Sequence, residues 1–225
     1  KNQRDVYIND GSMERCFRSF QGTMADYDAV ICANDFTAIS LVRNLLAGYP
    51  QELERLLIIG CAETSLTEYY SPYILSIRVN FQEYGKAAVT LLENLKRNPY
   101  LSHAVMSIRW DFSPLTSLRK LDGGTRDSCP PSIPESRDIF YQDAELTGML
   151  RLERMLNECD SLDREIIDCL REESYDNISE NCFVTISTIK YRVKKMIGLA
   201  EAADRRGLIR LLREYLPQAD KNGNG

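Results

Sequence analysis

A basic island stands near the C-terminal end of an acidic chain. The stretch TISTIKYRVKKMI, residues 185–197, carries Lys190, Arg192, Lys194 and Lys195 and no acid, whereas the 225 residues together have a formal net charge of −5. Two chemistries compete for such a pattern: the solvated face of an ordinary helix, or a surface for a polyanion. The apolar residues choose which side faces out. Ile189, Val193 and Met196 or Ile197 recur at i, i+4 and i+7/8, the buried stripe of an amphipathic helix. Lys190, Tyr191, Lys194 and, nearer the end, Lys195 are left outside. Thr185 is a natural N-cap, with Ser187 and Thr188 in the first turn. Hydroxyls and free backbone amides at a helix start form a seat for phosphate. Donors at the start and cations along one side are what a helix needs to enter a DNA major groove. The expected DNA contacts are therefore Lys190, Tyr191, Lys194, Thr185, Thr188 and Lys195, and the expected partner is double-stranded DNA.

Other chemistries find little to work with. The seven cysteines, Cys16, Cys32, Cys61, Cys129, Cys159, Cys169 and Cys182, are odd in number and form no C-x-x-C pair. They read as reduced, mostly buried thiols of a cytoplasmic protein. His103 is the only histidine, which argues against a zinc cluster and most general-base schemes. No metal, cofactor or enzymatic activity is expected, although carboxylate or lysine chemistry stays open with nothing to mark a site. No apolar run approaches the roughly 18–20 residues of a membrane helix, so no membrane partner is expected. The chain opens at Lys1, and KNQRDVYIND looks like the run-up to a strand. It is expected to begin inside a longer gene product.

The elements that must position these residues fall into three regions. Residues 1–118 alternate between strand and helix signals. RDVYIN, YDAVICAND, ERLLIIGCAE, ILSIRVNF and AVMSIRWDF read as strands. SMERCFRSFQGTM, DFTAISLVRNLLAGYP and YGKAAVTLLENLKRNP read as helices. That rhythm predicts an α/β fold, a parallel sheet with flanking helices. Residues 119–143, with a Gly pair and three Pro, read as a linker. Residues 144–217 read as a separate all-α domain, and 218–225 as a disordered tail. The first helix of this region carries Leu146, Met149, Leu150, Leu152, Met155 and Leu156. So wide a stripe packs on the later helices of the region or on a second copy. The next helix, SLDREIIDCLREES, is expected to take Ser161 as its N-cap. A short helix over 176–183, the basic stretch and DRRGLIRLLREYL complete the region.

The stretch LDREIIDCLREESYDNISENCFVTISTIKYRVKKMIGL resembles the C-terminal helix-turn-helix of the LuxR family. Leu162, Arg164, Glu165, Ser174, Ile178, Phe183, Thr188, Ile189, Lys190 and Val193 fall on matching positions. The resemblance implies a LuxR-type DNA-binding domain over 144–217, with Lys190, Tyr191 and Lys194 facing the groove and Thr185 and Thr188 on backbone phosphates. It also implies a homodimer, since such units bind paired half-sites. Two acids, Glu172 and Glu173, replace the usual glycine, Arg192 stands where histidine is common, and Asp176 and Asn177 replace Lys-Glu.

VICANDFTAISLVRNL, LLIIGCAE and ILSIRVNFQEYGKAAVTLLENL together resemble the sensor domain of the LacI/GalR family. Asn34, Asp35, Ala38, Gly60, Asn80, Phe81 and Gly85 fit its signature. The resemblance implies a partial periplasmic-binding-protein-like fold over 1–118: one lobe plus the pieces that cross to the other, to which the helix near 82–96 would belong. It also implies a small-molecule effector. Ala62 stands where sugar-binding members carry an acid, so a sugar is disfavoured. Asn34 is the expected ligand-binding residue, and equally a cap for the helix after it. The readings combine into a DNA-binding transcription regulator. The competing expectation is a small-molecule (sugar-like) binding protein whose helical C-terminal region is a protein-interaction module.

Overall fold

Three apolar runs are short, β-branched and bounded by polar residues, and they form the parallel part of a small sheet. In the computed structural model, which describes residues 5–109, 111–112, 142–171 and 174–217, β1 (Ala29–Ile31), β2 (Leu57–Cys61) and β3 (Ile74–Arg78) lie in that order. Val30 pairs with Ile58, and Ile59 with Leu75. β4 (Asp111–Phe112) adds to β3 antiparallel, opposite Ile77 and Arg78.

Two expected strands do not form as read. Residues 5–9 have the alternation of a strand but no ladder. Tyr7 turns instead into an aromatic cluster, 5.2 Å from Phe20 and 6.2 Å from Tyr27 between ring centroids, and leaves Val6 and Ile8 exposed. Among the described residues of AVMSIRWDF, only the last two are strand. Val105 is 87% exposed, so the run has no layer against which to bury its apolar side.

The helices keep closer to the sequence pattern. α1 (Met13–Gln21) is capped by Ser12 and buries Met13 and Phe20. α2 (Asp35–Gly48) buries Ala38, Ile39, Leu41, Val42 and Leu45. Pro50 begins α3 (Pro50–Arg55) at a position where its missing amide is not needed. A 3-10 helix, Ser65–Tyr70, links β2 to β3, and α4 (Phe81–Arg97) comes after β3.

The C-terminal helices are α5 (Ala144–Leu156), α6 (Ser161–Leu170), α7 (Tyr175–Asn181), α8 (Ile186–Leu199) and α9 (Arg205–Tyr215). They differ from the expected separate domain, because they share a continuous hydrophobic core with the sheet region. α5 lies against α2 and the 3-10 helix on one side and against α8 and α9 on the other. Its stripe is too wide for one neighbour, and Leu146, Met149, Leu152, Met155 and Leu156 are all fully buried within the chain. A second copy is not what covers them.

Polar bonds cross the same junction. Asp143 caps α5 and also accepts from the Met13 amide at 2.8 Å. The Glu153 carboxylate accepts from the Ser65 and Leu66 amides at 2.9 and 2.7 Å, at the start of the 3-10 helix. Tyr70 donates its hydroxyl to the Tyr215 carbonyl at 2.6 Å. Glu145 accepts from Ser40 at 2.9 Å and pairs with Arg43, whose guanidinium also stacks over the Tyr215 ring. Of the expected linker, residues 119–141 lie outside the described residues, as does the tail 218–225.

α6 brings a correction at its start. The N-cap is Asp160 rather than Ser161, in a capping box with Asp163. Two carboxylates satisfy two orphan amides reciprocally, which a single serine hydroxyl cannot do.

Candidate nucleic-acid interface

α7 and α8 are joined by a tight turn and packed through buried aliphatic residues. Ile178, Ile189, Val193 and Met196 are all at or below 1% exposure. Cys182 and Ile197 are half-buried. The turn is closed by the Cys182 amide on the Ile178 carbonyl at 2.9 Å and the Val184 amide on the Ser179 carbonyl at 3.2 Å. Ser179 returns a bond from its hydroxyl to the Val184 carbonyl at 2.5 Å.

Thr185 is the N-cap of α8, as its position predicts, and its Oγ1 accepts from the Thr188 amide at 3.3 Å. The same hydroxyl lies 2.8 Å from that of Ser187 and 2.9 Å from that of Thr188. Three hydroxyls therefore gather at one exposed helix start, where backbone amides also point outward.

The four cations of α8 divide into two kinds. Arg192 is a structural clamp: its Nη1 donates to both Asp160 oxygens at 2.9 and 2.8 Å and to Asp163 Oδ1 at 2.8 Å. The bond from Arg192 holds the Asp160 carboxyl below the usual carboxylate range, and the two aspartates make Arg192 hold its proton more tightly. Lys195 donates to the Glu158 carbonyl at 3.0 Å, just past the end of α5. Lys190 and Lys194 make no hydrogen bond or ion pair with any described residue, and both are exposed. Tyr191 beside them is 72% exposed. The structure thus brings Thr185, Thr188, Lys190, Tyr191 and Lys194 together on α8 and its cap, and ties Lys195 back to the chain.

Sequence reasoning missed the partners of Arg192. Asp163 stands in the first turn of α6, and its bond across to α8 leaves no mark in the local sequence. Sequence reasoning also missed a second basic stripe on α9, where Arg206, Arg210 and Arg213 are exposed. Their i, i+4, i+7 spacing was readable in DRRGLIRLLREYL. Arg213 donates to the Arg171 carbonyl, which leaves Arg206 and Arg210 as the outward pair.

Asn34 lies elsewhere, at the C-terminal end of β1. Its Oδ1 accepts from the Thr37 amide at 2.9 Å and the Thr37 hydroxyl at 3.0 Å, so the amide oxygen is committed to capping α2. Asn34 also borders an open cleft of about 960 Å³ lined by Tyr7, Phe17, Phe20, Tyr27 and Thr37. Asp35, its neighbour, is fully buried and ties the strand ends together. It accepts from the Thr64 amide and the Thr67 hydroxyl at 2.9 Å and from the Ser76 hydroxyl at 2.8 Å. A Cβ at Gly60 would collide with this carboxylate, which explains a glycine there. Ala62 and Glu63 come next with φ of 122° and 53°, and Glu63 pairs with Arg78.

Burial pushes the Cys32 thiol up to about 12, so it stays protonated and unreactive at neutral pH. Among the described residues no metal-binding group of His, Cys, Asp or Glu is present, and no helix is long and apolar enough to cross a membrane. Neither protein-family models, nor curated proteins, nor solved structures give a match to the chain.

Proposed function

We propose that this chain is a DNA-binding transcription regulator in which α7 and α8 form a helix-turn-helix that reads the major groove. The α/β region serves as a sensor for a small-molecule effector, and the regulator works as a dimer on paired half-sites. The observation that carries the reading is the division among the α8 cations. Arg192 and Lys195 hold the helix in place, while Lys190 and Lys194 flank Tyr191 on the outside without partners among the described residues. A solvated face needs no such scaffold, whereas groove recognition needs a helix fixed in orientation. Thr185, Ser187 and Thr188 supply hydroxyls for a phosphate at the helix start.

The test is binding of the full chain to labelled duplex DNA across a salt series. Affinity should fall steeply with salt, and Lys190→Ala with Lys194→Ala should weaken binding while reducing the salt slope by about 2, near one per lost phosphate contact. A flat salt response, or unchanged binding by the double variant, overturns the reading.

One observation favours a second reading. The cleft beside Asn34 suits a small aromatic or apolar ligand, so the chain could act as a binding protein whose C-terminal helices recognise another protein. Its signature is ligand-induced stabilisation with no duplex binding at any salt concentration.

A further inference from the structure

The helix-turn-helix carries a residue that folding alone does not explain. Phe183, in the turn between α7 and α8, has φ of 55° and is 93% exposed. A left-handed backbone is costly for any residue with a Cβ and is ordinarily left to glycine or asparagine. An exposed aromatic ring gives no burial in return. The bonds among Ile178, Ser179, Cys182 and Val184 fix the backbone on both sides of it. From residue 142 onward, the exposed large hydrophobic side chains among the described residues are Phe183 and Tyr191. Phe183 lies in the turn before α8, and Tyr191 lies on α8 next to Lys190. Phe183 precedes the hydroxyl cluster of Thr185, Ser187 and Thr188 by two residues, at the end of α8 that carries the phosphate seat.

We propose that Phe183 is a specificity-determining contact that reads thymine 5-methyl groups in the major groove, its ring held outward by the strained turn. The inference rests on the DNA-binding reading above. The setting chooses the partner: an apolar ring at the start of a helix that carries unpaired cations and clustered hydroxyls matches a duplex edge, where thymine methyls are the apolar groups offered. A protein partner would be expected to meet further apolar surface, and apart from Tyr191 the other exposed side chains of α7, the turn and α8 are polar or charged.

The experiment starts from a random 30-base-pair duplex pool enriched on the full wild-type chain. The enriched duplex is then prepared with thymine and with uracil in place of thymine, which removes only the methyl groups. The wild-type chain should bind the uracil duplex about fourfold more weakly for each methyl contacted. Phe183→Gly should bind both duplexes equally, at the wild-type affinity for the uracil form. Its melting temperature should not fall, since glycine relieves the left-handed turn. Phe183→Asn, which also tolerates that backbone, should behave likewise. Equal thymine and uracil affinities for the wild-type chain, or undiminished discrimination by Phe183→Gly, overturn the assignment to Phe183. If binding still depends on Lys190 and Lys194, the regulator reading survives that result. If no duplex is enriched at all, both fall together.

Discussion

α4 and α5 pose the same problem and meet opposite fates. Each is amphipathic, and each carries a stripe of large apolar side chains. α5 buries its stripe completely, between the sheet region on one side and α8 and α9 on the other. α4 buries no residue, and Phe81, Val89 and Leu92 are 69%, 58% and 52% exposed. An apolar stripe in a sequence announces that a face wants cover. It does not announce what supplies the cover, because that depends on where neighbouring elements come to rest. The difference also assigns roles. α5 is the keystone that joins the sheet region to α8 and α9, while α4 buries no residue against either.

The comparison breaks most readily by truncating a leucine in each helix. Leu152→Ala in α5 should cost about 2–5 kcal/mol, the range for a fully buried leucine whose neighbours cannot collapse into the space. Leu92→Ala in α4 removes the same atoms from a half-exposed site and should stay within about 0.5 kcal/mol. Urea unfolding of both variants measures the contrast, and equal losses would mean that α4 is covered in solution.

Glutamates give a smaller version of the test. Glu153 in α5 accepts two backbone amides of the 3-10 helix, so Glu153→Ala leaves two part-buried donors without that acceptor and should cost about 1–3 kcal/mol. Among the described residues, Glu93 in α4 meets only Arg97, at 3.5 Å on an exposed face. Its replacement by alanine should change stability by no more than about 0.5 kcal/mol. Thermal unfolding of the pair resolves this, and a loss at Glu93 matching that at Glu153 would remove the distinction.

These contrasts separate the part of the molecule that is legible in its sequence from the part that is not. Periodicity gives the face of α8 correctly, because Ile189 and Val193 must be inside wherever the helix docks. Local chemistry gives the Thr185 cap, since capping involves only neighbours in sequence. It fails at α6, where Ser161 looks sufficient but the Asp160–Asp163 pair satisfies more donors and also receives Arg192 from 29 or more residues away. Partners at such separation leave no periodic trace. The same holds for Glu145 with Ser40 and Arg43, and for Asp35 with Thr64, Thr67 and Ser76: in each case the residue type is visible and the partner is not. Nor can propensity show that residues 5–9 prefer an aromatic cluster to a ladder, because that choice lies in Tyr7 meeting Phe20 and Tyr27.

The smallest expected effect lies in the pH dependence of the junction itself. Burial raises Glu145 above its ordinary value of 4.5, and the opposing pull of Arg43 and Ser40 does not offset it. A carboxyl raised in the folded state binds its proton more tightly there than in the unfolded chain, so losing that proton opposes folding. Its contribution to stability is greatest below 4.5 and declines as pH rises through the folded value. Asp160 has the opposite sign: held below 3.8, chiefly by Arg192, it supports the fold above that value and loses its contribution as pH falls further. Stability measured downward from neutral pH should therefore rise slightly as Glu145 takes up its proton and then fall as Asp160 does. Asp168, also raised by burial, adds to the first part of the curve. Glu145→Gln should flatten the rise without abolishing it and leave the later fall in place. Chemical denaturation from pH 7 to pH 3 reads both limbs, and an unchanged rise in Glu145→Gln would mean that the α5 junction is more open to water than its buried stripe implies.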